Sequence, residues 1–151
     1  MDKKSIAEPG RLSEKHWKSV LLSMPIPCVD VIVEKQSKVL LGFRVIDPYR
    51  NVWALPGGRI LKHENPENTV RRTLKEINIT AKIKSLVGVF PVRFPRHPLK
   101  RYDITLCYRS EWIAGEPKPN AEQIRFRWFT PRRLSTATGG NYKKMIQYAY
   151  R

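Results

Sequence analysis

Long apolar runs are missing from this chain, and it contains only two cysteines. No apolar run approaches the ~18 residues that a membrane-spanning helix needs, so the sequence predicts no membrane span. The start, Met1-Asp2-Lys3-Lys4, is not followed by the apolar stretch of a secretory signal. Cys28 and Cys107 lie far apart in strand-like segments, which predicts two buried thiols rather than a disulfide or a metal pair. We therefore expect a cytoplasmic protein.

Acidic residues are also scarce: the chain has 13 Asp and Glu but 29 Lys and Arg, which gives a formal net charge of +16. The basic residues are spread evenly, and no block contains five or more like charges. A positive field of this size attracts nucleic acid, phospholipid headgroups or phosphorylated small molecules. Composition does not choose among these partners, so nucleic acid is not excluded.

The organisation of the chain is that of one domain, since its 151 residues contain no internal repeat and no low-complexity segment. We divide it into an N-terminal arm and helix, residues 1–24, and a main domain, residues 25–151. Periodicity and turn residues predict helices near 14–23, 66–77 and 141–150, and strands near 28–34, 38–44, 53–55, 80–90, 102–112 and 125–130. This mixture predicts an α/β or α+β fold, with helices covering both faces of a mixed sheet.

The segment richest in chemical signal is LPGGRILKHENPENTVRRTLKEINI, residues 55–79. Two glycines end a strand there, and a loop leads to a helix on which Arg72 and Glu76, four residues apart, share one face. Glu64 can tie the loop to the helix through Arg72, and Glu76 can direct a carboxylate at the backbone of the glycine turn. A carboxylate beside a free carbonyl suits Mg²⁺, with water and substrate phosphate completing the coordination. The alternative is an ordinary surface loop and amphipathic helix with ion pairs.

The spacing Gly58-x5-Glu64-x7-Arg72-x-Leu74-x-Glu76 resembles the box of the Nudix hydrolase family. The resemblance covers roughly residues 13–136 and is nearest to the GDP-mannose mannosyl hydrolase branch. It is carried by Ser23-Met-Pro…Asp30, Leu41-Gly-Phe-Arg44, Trp53-x-x-Pro-Gly-Gly-Arg59 and Glu122-Gln123…Arg127-Trp128. It implies a Nudix-type α/β/α sandwich with a mixed sheet and a central box helix near 66–77.

The same resemblance implies roles for individual residues and a cofactor, Mg²⁺, with Mn²⁺ as the alternative. The residues concerned are the metal ligands Gly57 (through its carbonyl), Glu76 and Gln123; the catalytic residues Arg59, Arg72 and Glu76; the substrate-binding residues Asp30, Arg44 and Arg59; and the structural residues Gly58 and Glu64. The physical reason is that a departing nucleoside diphosphate builds up negative charge, which guanidinium groups and a metal stabilise.

The chain departs from the family pattern at the end of the box helix. If the box lacks one residue, Glu76 takes the place of the last ligating Glu, and Asn78 takes that of the usual Gly. If the box is complete, Leu74 keeps its place and Ile77 replaces the ligand. These two alignments stay open at the level of sequence.

A second departure concerns the general base. The branch has His directly after its Gln, whereas this chain has Ile124 after Gln123. Only two histidines follow His16, namely His63 in the box loop and His97 in a loop rich in Pro and Arg. Reduced turnover is therefore expected.

The function predicted is a Mg²⁺-dependent hydrolase of a nucleoside diphosphate sugar, similar to GDP-mannose. Attack at phosphorus on another nucleoside diphosphate substrate is a second hypothesis. A third is a catalytically impaired protein that binds a nucleotide sugar or RNA. The stripe Trp17, Val20 and Leu21 of the first helix predicts a homodimer, with docking on its own domain as the alternative.

Overall fold

The computed structural model describes residues 12–151. Three helices and seven strands follow one another in the order α1 (Glu14–Ser23), β1 (Ile26–Lys35), β2 (Lys38–Arg44), β3 (Val52–Ala54), β4 (Gly57–Arg59), α2 (Pro66–Glu76), β5 (Thr80–Arg93), β6 (Tyr102–Ala114), β7 (Gln123–Phe129) and α3 (Gly140–Ala149). The predicted helices and strands are thus present, with ends shifted by a few residues.

The strands form one mixed sheet in the order β3-β2-β1-β6-β5, with β4 paired to β1 and β7 paired to β2. Among the strand pairs within residues 12–151, β1 and β6 run parallel and the other pairs are antiparallel. The mixed sheet predicted from sequence is confirmed.

Successive residues of β1 belong to two different cores. Val31 and Val33 pack with Val70 and Leu74 of α2, whereas Ile32 belongs to the cluster that contains Met145 of α3. Neighbouring side chains of a strand point to opposite faces of a sheet, so the two helices cover opposite faces. The result is the predicted α/β/α sandwich.

The box helix α2 begins and ends where local chemistry dictates. Asn65 caps its N-terminus, since the side-chain oxygen accepts a hydrogen bond from the Asn68 amide at 2.8 Å, and Pro66 occupies the first turn. Asn78 follows the helix with φ of 63°, a left-handed conformation that Asn tolerates better than most residues. The buried Ile77 and Ile79 flank it and enter the core.

The predicted glycine turn is wrong in detail. Gly57–Arg59 form a short strand, β4, in which Gly57 lies opposite Asp30 of β1. A Cβ on Gly57 would collide with Asp30 Oδ1 and with the Val29 carbonyl oxygen, so only glycine permits this close approach. Local propensity disfavours glycine in strands, which is why the sequence suggested a turn.

Helix α1 is capped by Ser13, whose side chain accepts a hydrogen bond from the His16 amide, and the helix packs on its own chain. Leu21 is buried with Ile26, and Trp17 and Val20 pack against the same cluster. The apolar stripe that suggested a homodimer is therefore partly covered within the chain, with Leu21 buried and Trp17 and Val20 half-buried. Of the predicted N-terminal arm and helix, residues 1–24, the first eleven residues lie outside the described part of the chain.

Two further features of the described residues concern the cysteines and the lengths of the helices. Cys28 and Cys107 are both buried free thiols, as expected. None of the helices within residues 12–151 is long and apolar enough to cross a membrane.

Candidate active site

Two neighbouring cavities contain most of the predicted site residues. The larger, of about 330 Å³, is bounded by β1, β4, the loop after β2, the start of β6 and the first residues of α3. Its lining includes the predicted residues Asp30, Arg44, Gly57, Gly58, Arg59 and Gln123. We call it the substrate cavity.

The second cavity, of about 320 Å³, lies beside the end of α2. It is lined by Glu76 and Ile77 and shares Gly57, Glu122 and Gln123 with the substrate cavity. The three predicted metal ligands therefore surround one space, which we call the junction cavity. Glu122 was not among the predicted site residues, although it precedes Gln123 in the motif that carried the resemblance.

The predicted tie between Glu64 and Arg72 is present. Arg72 Nε donates to Glu64 Oε2 at 2.7 Å, and Nη2 donates to Oε1 at 3.1 Å. Glu64 Oε1 also accepts from the Leu61 amide, which fixes the loop. The hydrogen bond from Arg72 lowers the pKa of Glu64, and the bond to Glu64 raises the pKa of Arg72.

The other donors of Arg72 also bind protein groups. Nη2 donates to the Arg59 carbonyl at 2.8 Å, and Nη1 donates to Glu76 Oε1 at 3.0 Å. Arg72 therefore joins β4, the loop and the end of α2 that carries Glu76. These bonds position the three segments relative to one another, and the catalytic role that the resemblance implies for Arg72 stays a prediction.

Arg44 likewise donates hydrogen bonds to backbone carbonyl groups. Its Nε donates to the Tyr49 carbonyl at 3.0 Å, and Nη2 donates to the carbonyls of Ile46 and Asp47. The guanidinium lines the substrate cavity, but it also holds the shape of the loop between β2 and β3.

Asp30 and Asp103 bring two carboxyl groups to the substrate cavity. Burial raises the pKa of Asp30 well above its usual value, the charge of Asp103 adds to this, and Arg44 opposes it. Arg101 Nε donates to Asp103 Oδ1 at 2.8 Å. Burial acts to lower the pKa of Arg101, but the hydrogen bond and charge of Asp103 outweigh it, so the net shift is upward.

Arginines and an aromatic ring from α1 form one wall of the substrate cavity. The guanidinium carbon of Arg59 lies 4.5 Å from the centre of the Trp17 ring, and that of Arg101 lies 5.5 Å from it. Burial lowers the pKa of Arg59, and the charges of Arg101 and Arg72 lower it further, but a guanidinium stays protonated at neutral pH. The wall is suited to an anion such as a diphosphate.

Gln123 is buried at the start of β7. Its Nε2 donates to the carbonyls of Gly42 and Ala54 at 3.4 and 3.3 Å, and a Cβ on Gly42 would lie 2.5 Å from Nε2. Because the amide nitrogen donates to these two carbonyls, the side-chain oxygen Oε1 is the atom of Gln123 that could ligate a cation.

Ile124, the position at which the related branch has its general base, is not directed at either cavity. Ile124 is 47% exposed and lines neither the substrate cavity nor the junction cavity, because successive strand residues point to opposite faces. His63 and His97 do not line them either. His97 Nδ1 instead accepts from the Leu99 amide within its own loop.

The donor set around the junction cavity fits a hard divalent cation. Glu76 supplies a carboxylate that is 57% exposed, and Gly57 and Gln123 supply neutral oxygens. Mg²⁺ is commonly held by one or two carboxylates, with water and substrate phosphates completing the shell. Within residues 12–151 no group of three or more His, Cys, Asp or Glu side chains could hold a metal.

Arg101 and Asp103 escaped the sequence analysis, although a signal was present. Asp103, Thr105 and Cys107 alternate along β6 on a buried face, and a carboxylate at such a position requires a partner. The partner, Arg101, is only two residues away.

Comparisons with known proteins agree with this architecture. Residues 24–149 match the NUDIX domain. The ADP-ribose pyrophosphatase of Methanocaldococcus jannaschii is 38% identical over 108 residues, which are 70% of this chain and 62% of that protein. The low-salt glycan biosynthesis protein Agl8 of Haloferax volcanii is 31% identical over 81 residues, 53% of this chain and 52% of that protein.

The chain thus spans between about half and three fifths of the length of these relatives. Among solved structures, a NUDIX hydrolase from Nitrosomonas europaea superposes with a TM-score of 0.73 at 15% identity, covering 84% of this chain and 89% of that one. This likeness concerns the fold alone. The NUDIX match covers residues 24–149 of this chain, and the chain therefore belongs to the NUDIX domain family.

Proposed function

We propose that this chain is a divalent-metal-dependent hydrolase of a nucleoside diphosphate sugar. The observation that carries the proposal is the shared boundary of the two cavities. Glu76 lies on one side, Arg59 and Arg101 line the other, and Gly57 and Gln123 lie between them. A diphosphate held at this boundary would contact the arginines on one side and, on the other, a divalent cation held by Glu76, which is the arrangement that favours departure of a phosphate-bearing group.

Mg²⁺ would be held by Glu76, the Gly57 carbonyl and Gln123, and Mn²⁺ prefers similar oxygen ligands. When bound, the ion would neutralise phosphate charge as a Lewis acid. Asn78 in a left-handed conformation, between the buried Ile77 and Ile79, supports the alignment that lacks one box residue. In that alignment Glu76 is the last ligating Glu, and Ile77 is a core residue.

The other residues bind and orient. Arg59 and Arg101 attract the diphosphate, and Asp30 offers hydrogen bonds to a sugar hydroxyl. Arg72 fixes the position of Glu76 relative to β4 through its bonds to both. The loop held by Arg44 closes the side of the cavity nearest β2.

Glu122 is our candidate for the group that activates water. It lines both cavities, whereas Ile124, His63 and His97 line neither. If Glu122 activates water, the absence of a histidine at position 124 does not imply slow turnover, because a side chain at position 124 does not point into either cavity.

The substrate class is supported by the relative that is named for ADP-ribose, since ADP-ribose is itself a nucleoside diphosphate joined to a sugar. GDP-mannose, which the sequence resemblance implied, belongs to the same chemical class. A panel of nucleoside diphosphate sugars with Mg²⁺, assayed separately for free sugar and sugar phosphate, tests the proposal. Release of either product supports hydrolysis and identifies the bond that breaks, and no release from any member contradicts it.

A binding protein without turnover is the second candidate. One observation favours it: the carboxylate of Glu76 is paired with Arg72 at 3.0 Å, which competes with metal binding. Saturable binding of a nucleotide sugar without product in the same panel would favour this candidate.

A further inference from the structure

The last 29 residues of the chain, 123–151, contain seven basic residues and no acidic residue. The stretch runs from the start of β7 to the end of α3. Six of its basic residues, all exposed, define what we call the C-terminal basic surface: Arg125, Arg127, Arg132, Arg133, Lys143 and Lys144. None of these six belongs to the lining of the substrate cavity or the junction cavity.

Two arginines of this surface lie over a cluster of aromatic rings. Arg125 and Arg127 alternate along β7, and their guanidinium carbons lie 5.4 and 5.5 Å from the centre of the Trp53 ring. Arg125 also lies 4.4 Å from the ring centre of Phe43, which packs edge-on against Trp53. Such cation–π contacts hold planar guanidinium groups in place at the surface.

A groove follows at the end of the same strand. It encloses about 360 Å³ between the turn after β7 and helix α3, with Arg132 on one side and Lys143 on the other. Pro131, Leu134 and Gln147 complete its lining. Two cations beside partly apolar walls match a phosphate with an adjoining sugar or base.

Within residues 12–151, none of the six basic side chains forms an ion pair with a carboxylate. Other cations of the chain are paired, for example Arg101 with Asp103 and Arg109 with Glu34. Cations without carboxylate partners attract counterions, and a polyanion gains affinity by replacing them.

We infer that the C-terminal basic surface binds single-stranded nucleic acid, a function separate from hydrolysis in the cavities. Guanidinium planes fixed along one strand can stack on bases, and the adjoining lysines and Arg132 can contact successive phosphates. A lipid surface would instead call for an amphipathic helix with exposed large apolar side chains. In α3 the purely apolar residues Met145 and Ile146 are buried, and the large side chain that is exposed, Tyr148, carries a polar hydroxyl, which favours nucleic acid.

The test is fluorescence anisotropy of a labelled single-stranded RNA of mixed sequence, titrated with the full chain at several salt concentrations. Two double variants remove two charges each: Arg125→Gln with Arg127→Gln, and Arg132→Gln with Lys143→Gln. The second pair makes no aromatic contact, so it stays informative if the first pair impairs folding. The matched control, Lys75→Gln with Lys118→Gln, removes two exposed charges elsewhere.

We expect each test variant to weaken binding about tenfold at moderate salt. The Arg132 and Lys143 variant should also reduce the salt slope by about 1.4, the value for two lost single-strand phosphate contacts, and the Arg125 and Arg127 variant, which loses base stacking, should reduce it less. The control should change binding far less, and hydrolysis of a nucleotide sugar should be unaffected in all three. Equal losses in the control and the test variants would overturn the inference, and so would an absence of RNA binding at low salt. Binding to vesicles of anionic lipid without binding to RNA would also overturn it and would indicate a lipid surface.

Discussion

At the scale of single residues, the absence of a side chain at Gly57 is as important as the charged groups around it. Gly57 brings its backbone against Asp30 and lines both cavities. Spacing along the chain brought Glu76 and the glycine pair together in the prediction, and the family resemblance added Gln123. Glu122, Arg101 and Asp103 were missed, since only the folded sheet shows that their side chains line the same cavity as Asp30 and Gly57.

Gly57→Ala should therefore be destabilising. The new Cβ would meet backbone and a carboxylate that cannot withdraw, and overpacking of this kind costs about 1–3 kcal/mol. Gly140→Ala is the control, because the nearest atom to its Cβ, Tyr49 Oη, lies at 4.0 Å. Urea denaturation of both variants measures the difference, and equal midpoints would show that β1 and β4 separate easily.

Glu122→Gln should lower kcat with little effect on KM. Loss of a general base commonly costs about 10²–10⁴-fold, and glutamine keeps the size of the side chain while losing the basic group. The comparison is Glu116→Gln, which changes an exposed carboxylate outside both cavities. If kcat is the same in both variants, water is activated by another group.

At the scale of elements, the helices were predictable because their signals are local. Ser13 and Asn65 cap α1 and α2. The eight-residue spacing of Glu64 and Arg72 predicted a contact between their side chains, and the structure contains it. The strand β4 was not predictable from local propensity, since its glycines are selected by the close approach to β1. The direction in which the Ile124 side chain points was not predictable either, because it depends on how β7 pairs within the sheet.

The tie between the loop and α2 predicts a dependence of stability on pH. The pKa of Glu64 is lowered in the folded state, so its stabilisation is complete above the unfolded pKa, near 4.3, and is lost as pH falls through the folded value. The free energy of unfolding should decrease on acidification below about pH 4.5. Glu64→Gln should be less stable at neutral pH and should show a shallower decrease. An unchanged slope in the variant would assign the acid loss to other carboxylates.

At the scale of the whole molecule, the excess of positive charge is divided between the interior of the domain and its surface. Some arginines are used inside the domain, as Arg72 and Arg44 are in shaping loops, while the six of the C-terminal basic surface lie outside the cavities. Composition predicted the attraction of polyanions but not this division, which depends on tertiary placement.

The homodimer stays a prediction at this scale, with a reduced basis. The stripe of α1 packs on its own chain, but Leu22 is 68% exposed and Met24 is 55% exposed. A dimer through these two residues should show twice the chain mass by light scattering at tens of micromolar, and Leu22→Glu should restore the single mass. A single-chain mass for the parent would remove the dimer from the account.

The most direct test of metal-dependent hydrolysis at the junction cavity is the initial rate of nucleotide-sugar hydrolysis as a function of Mg²⁺ concentration. We expect saturation for the parent and a midpoint at least about tenfold higher for Glu76→Gln, since one ligating carboxylate is lost. Glu64→Gln, which removes a carboxylate that binds Arg72, should shift the midpoint less. A midpoint unchanged by Glu76→Gln, or a rate that does not depend on added divalent metal after treatment with a chelator, would contradict the account.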